Sequence, residues 1–340
     1  MPEWMMRQGP KSAFRYVRAN GSRVQDARTL ERIRALAVPP GWTDVHIAVS
    51  ARAEVQAWGL DVKGRKQYRY HPRAVERGQL RKYYRVRELA KDLPTIRERI
   101  RRDAASRTPS RRAVAAAVVR LISESFFRVG GERYQQENGT FGVATLRKRH
   151  VRVEKGCAVF EFIGKRGVAQ WKVVANPELA RLVKRQLTSP GTRLFRYRED
   201  GRWHDLTARD VNEYLHDTLG LAFSAKDFRT WGGTLRAATV LAELGPAKSL
   251  TEARRNVVTA MRLVASELGN TPAICRASYV HPMVIARYVD EGETIRLSAR
   301  YRPASDAYAH SPEERALVRF LDRHFPERRR RRRSVEGRAG

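Results

Sequence analysis

Glu267–Val280, ELGNTPAICRASYV, reads as the end of one helix and the start of another. Gly269-Asn270 breaks the first, Thr271-Pro272 is a start signal for the second, and Tyr279 then falls about two turns into it. Taken by itself, Tyr279 is a half-buried core aromatic with a lone cysteine, Cys275, and an arginine, Arg276, beside it. What more it could be depends on the rest of the chain.

The chain has 340 residues, enough for two domains with their own cores, and its 42% hydrophobic content suits a soluble globular protein. The formal net charge is +32, spread along the sequence rather than confined to the run Arg328 to Arg333. Such a field attracts polyanions, nucleic acid foremost, with an anionic membrane surface as the alternative. No apolar run is long enough for a spanning helix, and MPEWMMRQGPKSAFRYVRANG has no signal-peptide core, so the cell interior is the expected location. Cys157 and Cys275 sit in apolar segments without metal-ligand spacing and read as small core residues in a reducing compartment.

The first region, to Arg77, reads as strands with one helix. FRYVRANGSRV alternates around an Asn20-Gly21 turn and predicts a hairpin. DARTLERIRALAV has helical spacing and stops at Pro39-Pro40, whereas TDVHIAVS and EVQAWGLDVKGRKQYRYHP read as strands, the latter turning at Gly64. The pattern then becomes helical and strongly basic, with RTPSRR, 107–112, as a loop. A long helix over RRAVAAAVVRLISESFFRVGGERY is predicted to end at Gly130-Gly131. Short strands follow, with a tight hairpin turn at Gly164-Lys165-Arg166-Gly167. Beyond Pro177 the chain reads as helical through SPEERALVRFLDRHF, and the arginine run after it as a disordered, low-complexity tail.

GxxxxGK[ST], GxGxxG, HExxH and CxxC patterns are all missing, so nucleotide hydrolysis and a structural zinc site have no support. The histidines do not pair at ligand spacings, and no acidic cluster suited to two magnesium ions stands out. Action on DNA would therefore rest on cations and a side-chain nucleophile. A phosphodiester opens without metal when a tyrosine attacks phosphorus, fixed cations neutralise the non-bridging oxygens and an acid protonates the departing oxygen. The candidates are Arg128 at the end of the long helix, Lys165 at the hairpin tip, Arg229 at the start of the helix in KDFRTWGGTLRA, and Tyr279. Singly, Arg128 or Lys165 reads as a solvated surface charge. Together they fit the chemistry: a tyrosine of pKa about 10 needs cations to favour its anion, and a lysine near about 10.4 becomes a useful acid only beside other cations.

These segments, in this order, resemble the type IB DNA topoisomerases of the short bacterial and viral kind, whose catalytic domain is related to that of tyrosine recombinases. The resemblance covers almost the whole chain and includes PPGWTDVHI and GLDVKGRKQYRYH ahead of the four catalytic segments. It implies that Tyr279 is the nucleophile, that Arg128 and Arg229 bind the phosphate, and that Lys165 is the general acid to the leaving 5′-oxygen. Where the family usually has a histidine a few residues before the tyrosine, this chain has Asn270, an amide donor weaker than a charged one. His281 would point away from Tyr279's side of a helix and is expected at the surface. Arg65, Lys66, Gln67, Tyr68 and Tyr70 match a stretch that touches DNA in the major groove, and Tyr134 matches a DNA-contacting tyrosine. By pattern alone, Tyr68 and Tyr70 share one strand face and read equally as half-exposed sheet aromatics.

The expected fold is α+β: a small β-rich DNA-binding domain over 1–77, a mainly helical catalytic domain with a short antiparallel sheet over 78–324, and a basic tail over 325–340. The resemblance implies that the domains form a clamp around duplex DNA. It implies a monomer that relaxes supercoils through a 3′-phosphotyrosyl intermediate, strand swivelling and religation, with no ATP, cofactor, required metal or membrane, in the bacterial cytoplasm at the nucleoid. Two rivals stand beside this reading. A tyrosine-type site-specific recombinase is disfavoured by the first-domain segments. A non-catalytic architectural DNA-binding protein is disfavoured by the full set Tyr279, Arg128, Lys165 and Arg229, and favoured only by Asn270.

Overall fold

The computed structural model describes residues 3–218, 223–297 and 308–325. The architecture is α+β, and the chain divides into two compact units, Met1–Lys82 and Tyr83–Gly340. Of the expected tail, only Phe325 is among the described residues.

The first unit is a five-stranded antiparallel sheet, β1 (Trp4–Gln8), β2 (Arg15–Val17), β3 (Thr43–Ala48), β4 (Val55–Leu60) and β5 (Lys66–Tyr70), in the order β2-β1-β3-β4-β5. Helix α1 (Ala27–Ala35), N-capped by Asp26, covers one face. Ile33 of α1 packs there with Met5, Val45, Ile47 and Ala57, the inward members of the strand alternation. On β5 the outward set, Lys66, Tyr68 and Tyr70, is exposed, and the two tyrosine rings stack 5.8 Å apart. The hairpin expected at Asn20-Gly21 is only a turn with a single bridge, Val17 to Arg23. Asn20 Oδ1 accepts from the backbone and hydroxyl of Ser22, closing the turn locally, and β2 uses its other edge to pair with β1.

Helix α2 (Pro72–Ala104) carries the unit boundary within it. In the second unit, α3 (Arg111–Ser125) is the central helix, with every residue from Ala113 to Ile122 buried. Helix α4 (Glu132–Asn138) leads to the three-stranded sheet β6 (Val151–Glu154), β7 (Cys157–Ile163) and β8 (Ala169–Val174), all antiparallel. After α5 (Pro177–Leu187) the chain forms a hairpin, β9 (Arg196–Glu199) and β10 (Arg202–Asp205), where the sequence predicted only helices. The turn Asp200-Gly201, both residues at positive φ, is the signal for it. The remaining helices are α6 (Ala208–Glu213), α7 (Ala225–Leu244), α8 (Leu250–Leu268), α9 (Pro272–Ser278), α10 (Pro282–Glu291) and α11 (Pro312–His324). A bidentate pair, Arg97 on α2 with the buried Glu314, fixes α11.

The long helix stops at Ser125, not at Gly130-Gly131, because Phe126 turns left-handed at φ 56° and its N–H closes on Ile122. Arg128 therefore lies in the extended segment after α3. The Phe126 ring fits because α7 carries glycine opposite it: a Cβ on Gly232 would sit 2.0 Å from Phe126 Cε1. Gly232→Ala should accordingly lower stability by about 1–3 kcal/mol, as overpacking does, measured by urea unfolding. A variant as stable as the wild type would show that Phe126 can move without cost.

Candidate active site

Two helix C-termini converge here. The last carbonyls of a helix have no partner within it and carry the negative end of its dipole, so cations are favoured beside them. Arg229, in the second turn of α7 and only 3% exposed, donates from Nη1 to the Phe126 carbonyl and from Nη2 to that of Leu268, 2.9 Å away. It thus joins the end of α3 to the end of α8. Its Cζ lies 5.3 Å from the centroid of the Tyr279 ring. Burial draws the guanidinium below its ordinary pKa, an effect opposed by Tyr279 and reinforced by Arg128.

Arg128 donates from Nη2 to the Gly269 carbonyl at 2.7 Å and to Asn270 Oδ1 at 2.6 Å. Its segment is fastened by Val143 N–H to the Arg128 carbonyl and Ala144 N–H to that of Val129. The fit needs glycine on both sides, since a Cβ on Gly142 would lie 2.4 Å from Gly130 N. With Asn270 Oδ1 engaged, its Nδ2 is a buried donor with no partner among the described residues. Lys165 stands at the β7–β8 turn, where Arg166 and Gly167 have positive φ and Gly164 N–H bonds the Val168 carbonyl at 2.8 Å.

Tyr279 falls about two turns past the Pro272 start, but the helix ends there. The tyrosine is the C-cap of the short α9, its N–H bonded to the Cys275 carbonyl at 2.9 Å. Gly233 of α7 lets the tyrosine backbone approach, because a Cβ there would meet the Tyr279 carbonyl at 2.7 Å. The expectation for His281 is also corrected: it is 1% exposed, caps α10 by accepting from Met283 N–H, and packs on Tyr83. The cause is Pro282, which starts a new helix and breaks the periodicity from which a surface position was inferred.

Arg128, Lys165, Asn270 and Tyr279 thus line one cleft of about 430 Å³, with Arg229 buried against the tyrosine. One member of the cleft was missed in the sequence. Lys172 of β8 points inward, its ammonium donating to the carbonyls of Ser125 at 3.0 Å and Glu267 at 2.8 Å. Burial foremost, then the charge of Arg229, takes its pKa down to about 8; Glu267 opposes the shift and Arg128 adds to it. Strand alternation was the available signal, because Lys172 shares a face with buried Val174 and a lysine is rarely placed inward.

The other expected residues lie outside this cleft. Tyr134 is exposed on α4. In the first unit, Arg65 Nε and Gln67 Nε2 both donate to Asp61 Oδ2, and Lys66 Nζ sits 3.6 Å above the Trp58 ring. Hydrogen bonding from Arg65 takes the Asp61 pKa down to about 2. Asp61 therefore stays charged and holds both side chains in set directions.

A tyrosine among fixed cations, with a lysine at the cleft rim, defines a class of protein that can exchange a phosphate ester for a tyrosyl one. Residues 72–300 match the family model for the eukaryotic DNA topoisomerase I catalytic core, and 13–61 that for the bacterial DNA topoisomerase IB N-terminal domain. The chain belongs to the type IB DNA topoisomerase family, enzymes of the isomerase class that bind DNA and change its topology. A DNA topoisomerase 1B of Acanthamoeba polyphaga mimivirus is 29% identical over 299 residues, covering 86% of this chain and 89% of the relative. A DNA topoisomerase 1B of Vaccinia virus, strain Copenhagen, is 25% identical over 68% of this chain and 72% of its own length. A DNA topoisomerase 1 of Schizosaccharomyces pombe matches 48% of this chain at 28% identity, within 20% of its own length. Among the described residues, no helix is long and apolar enough to cross a membrane.

Proposed function

We propose that the protein relaxes supercoiled duplex DNA by cutting one strand with Tyr279, leaving a 3′-phosphotyrosyl link and a free 5′-hydroxyl. The Tyr279 hydroxyl loses its proton to water as its oxygen bonds to phosphorus, the bond to the 5′-oxygen breaks, and Lys165 gives that oxygen a proton. Arg128, Arg229 and the Asn270 amide hold the non-bridging oxygens. The cut strand swivels, driven by torsion in the DNA, and the 5′-hydroxyl attacks back. One ester replaces another of similar energy, so the cycle requires neither ATP nor a metal. The observation that carries this reading is the gathering of Arg128, Lys165, Asn270 and Tyr279 in one cleft, although 151 positions separate the first from the last.

The unpartnered Nδ2 of Asn270 supports an amide doing the work of a charged donor, since a bound phosphate oxygen would satisfy it. Arg65, Lys66, Gln67, Tyr68 and Tyr70 contribute duplex contacts from the first unit and Tyr134 from the second, the exposed stacked tyrosines offering flat surfaces to sugar and base edges. The protein acts as a monomer with DNA as its partner, in the bacterial cytoplasm at the nucleoid. The test is relaxation of negatively and of positively supercoiled plasmid in EDTA without ATP. Both should relax, and denaturant added mid-reaction should trap protein on the 3′ side of a nick. Relaxation of one sign only, or a nick with protein on the 5′ side, would overturn the proposal.

A further inference from the structure

Resting on that reading of the cleft, we infer that Lys172 is a positioning residue for strand cleavage, locking β8 to the ends of both helices from which the phosphate-binding groups project.

Lys172 and Arg229 hold the helix ends in register. On α3, Lys172 takes the carbonyl of Ser125 and Arg229 the next, Phe126; on α8, Lys172 takes Glu267 and Arg229 the next, Leu268. Arg128 then takes the following carbonyl, Gly269. Arg128 is three residues past Ser125, and Asn270 three past Glu267. The Lys172 strand is joined directly to the turn that bears Lys165, and Gln170 on its inward face lies so close to Gly269 that a Cβ there would meet its Oε1 at 2.3 Å. The ammonium therefore connects three parts that must agree in position: the Lys165 turn, the Arg128 segment and the Asn270 segment. Helix-end carbonyls left without a donor would turn towards water, and the arginines bound to their neighbours would shift with them. A misplacement of about 1 Å in groups that act only in the transition state slows the chemistry far more than it weakens binding.

The test uses the full chain and a short duplex that the wild type cleaves, with adduct formation followed in a single turnover beside DNA affinity and thermal melting. Lys172→Met should form adduct roughly 100-fold more slowly while binding DNA with little change. Lys172→Arg, which keeps donors for both carbonyls, should recover much of the rate. A second duplex carries sulfur in place of the bridging 5′-oxygen, and because a thiolate departs without a proton, it should restore Lys165→Ala but leave Lys172→Met slow.

Wild-type cleavage in Lys172→Met would overturn the inference. So would full rescue of Lys172→Met by sulfur, which would make Lys172 the proton donor. Should Lys172→Met not fold, Lys172→Gln takes its place in the sulfur test. Failure of the wild type to form any adduct would instead overturn the proposed reaction.

Discussion

Tyr279→Phe should fold, bind duplex DNA and relax nothing: the rate of adduct formation should drop by roughly 10⁴-fold or more. The change removes one oxygen. The backbone of Tyr279 is set by the Cys275 carbonyl and by the close approach of Gly233, and its ring packs against the core and beside Arg229. The hydroxyl's hydrogen bond with Arg229 is lost, but Arg229 stays fixed by the carbonyls of Phe126 and Leu268. Gel-shift affinity within a few fold of the wild type, unchanged melting and no covalent adduct would be the expected set. Residual relaxation by Tyr279→Phe at a tenth of the wild-type rate would mean that another group is the nucleophile, and the roles given to Arg128 and Arg229 would fall with it.

The site was legible in the sequence to the extent that its chemistry needs particular residue types in separate segments. Tyr279, Arg128 and Lys165 stand out because opening a phosphodiester without metal needs a tyrosine, cations and an acid, and Asn270 because it takes the position of a histidine in the resemblance. What sequence periodicity missed are the places where tertiary packing overrode it. Nothing local says that Phe126 turns left-handed; that depends on Gly232, more than a hundred residues away, leaving room for its ring. Pro282 is visible in the sequence, but helical spacing carried across it points His281 outwards, whereas the proline starts a new helix that turns it inwards. Lys172 was hidden for a further reason. In a chain so rich in lysine and arginine, one more cation attracts no notice until the helix-end carbonyls it meets are known. In the first unit β5 was the plain case, since it alternates strictly and Gly64 marks the β4–β5 turn at φ 68°.

Arg229→Ala should be the most damaging change at the site that leaves the nucleophile in place, because it affects structure and chemistry together. The guanidinium is the donor to two helix-end carbonyls, Phe126 and Leu268, in a buried setting. Leaving both unpaired costs about 1–3 kcal/mol each, unless water enters the space left by the side chain. In the proposed reaction Arg229 is also a fixed donor to the developing phosphorane charge, and its loss there costs about 3–4 kcal/mol more, or 10²- to 10³-fold in rate. The two effects separate experimentally. Urea unfolding should show the first as lost stability, and adduct formation at a temperature where the variant is still folded should show the second. Arg229→Lys distinguishes charge from geometry: a lysine keeps the charge but cannot present the planar fork that spans both helix ends, so it should stay close to alanine in rate. A lysine variant with near wild-type cleavage would mean that the fork is not needed and that charge alone, placed between the ends of α3 and α8, is what the cleft requires.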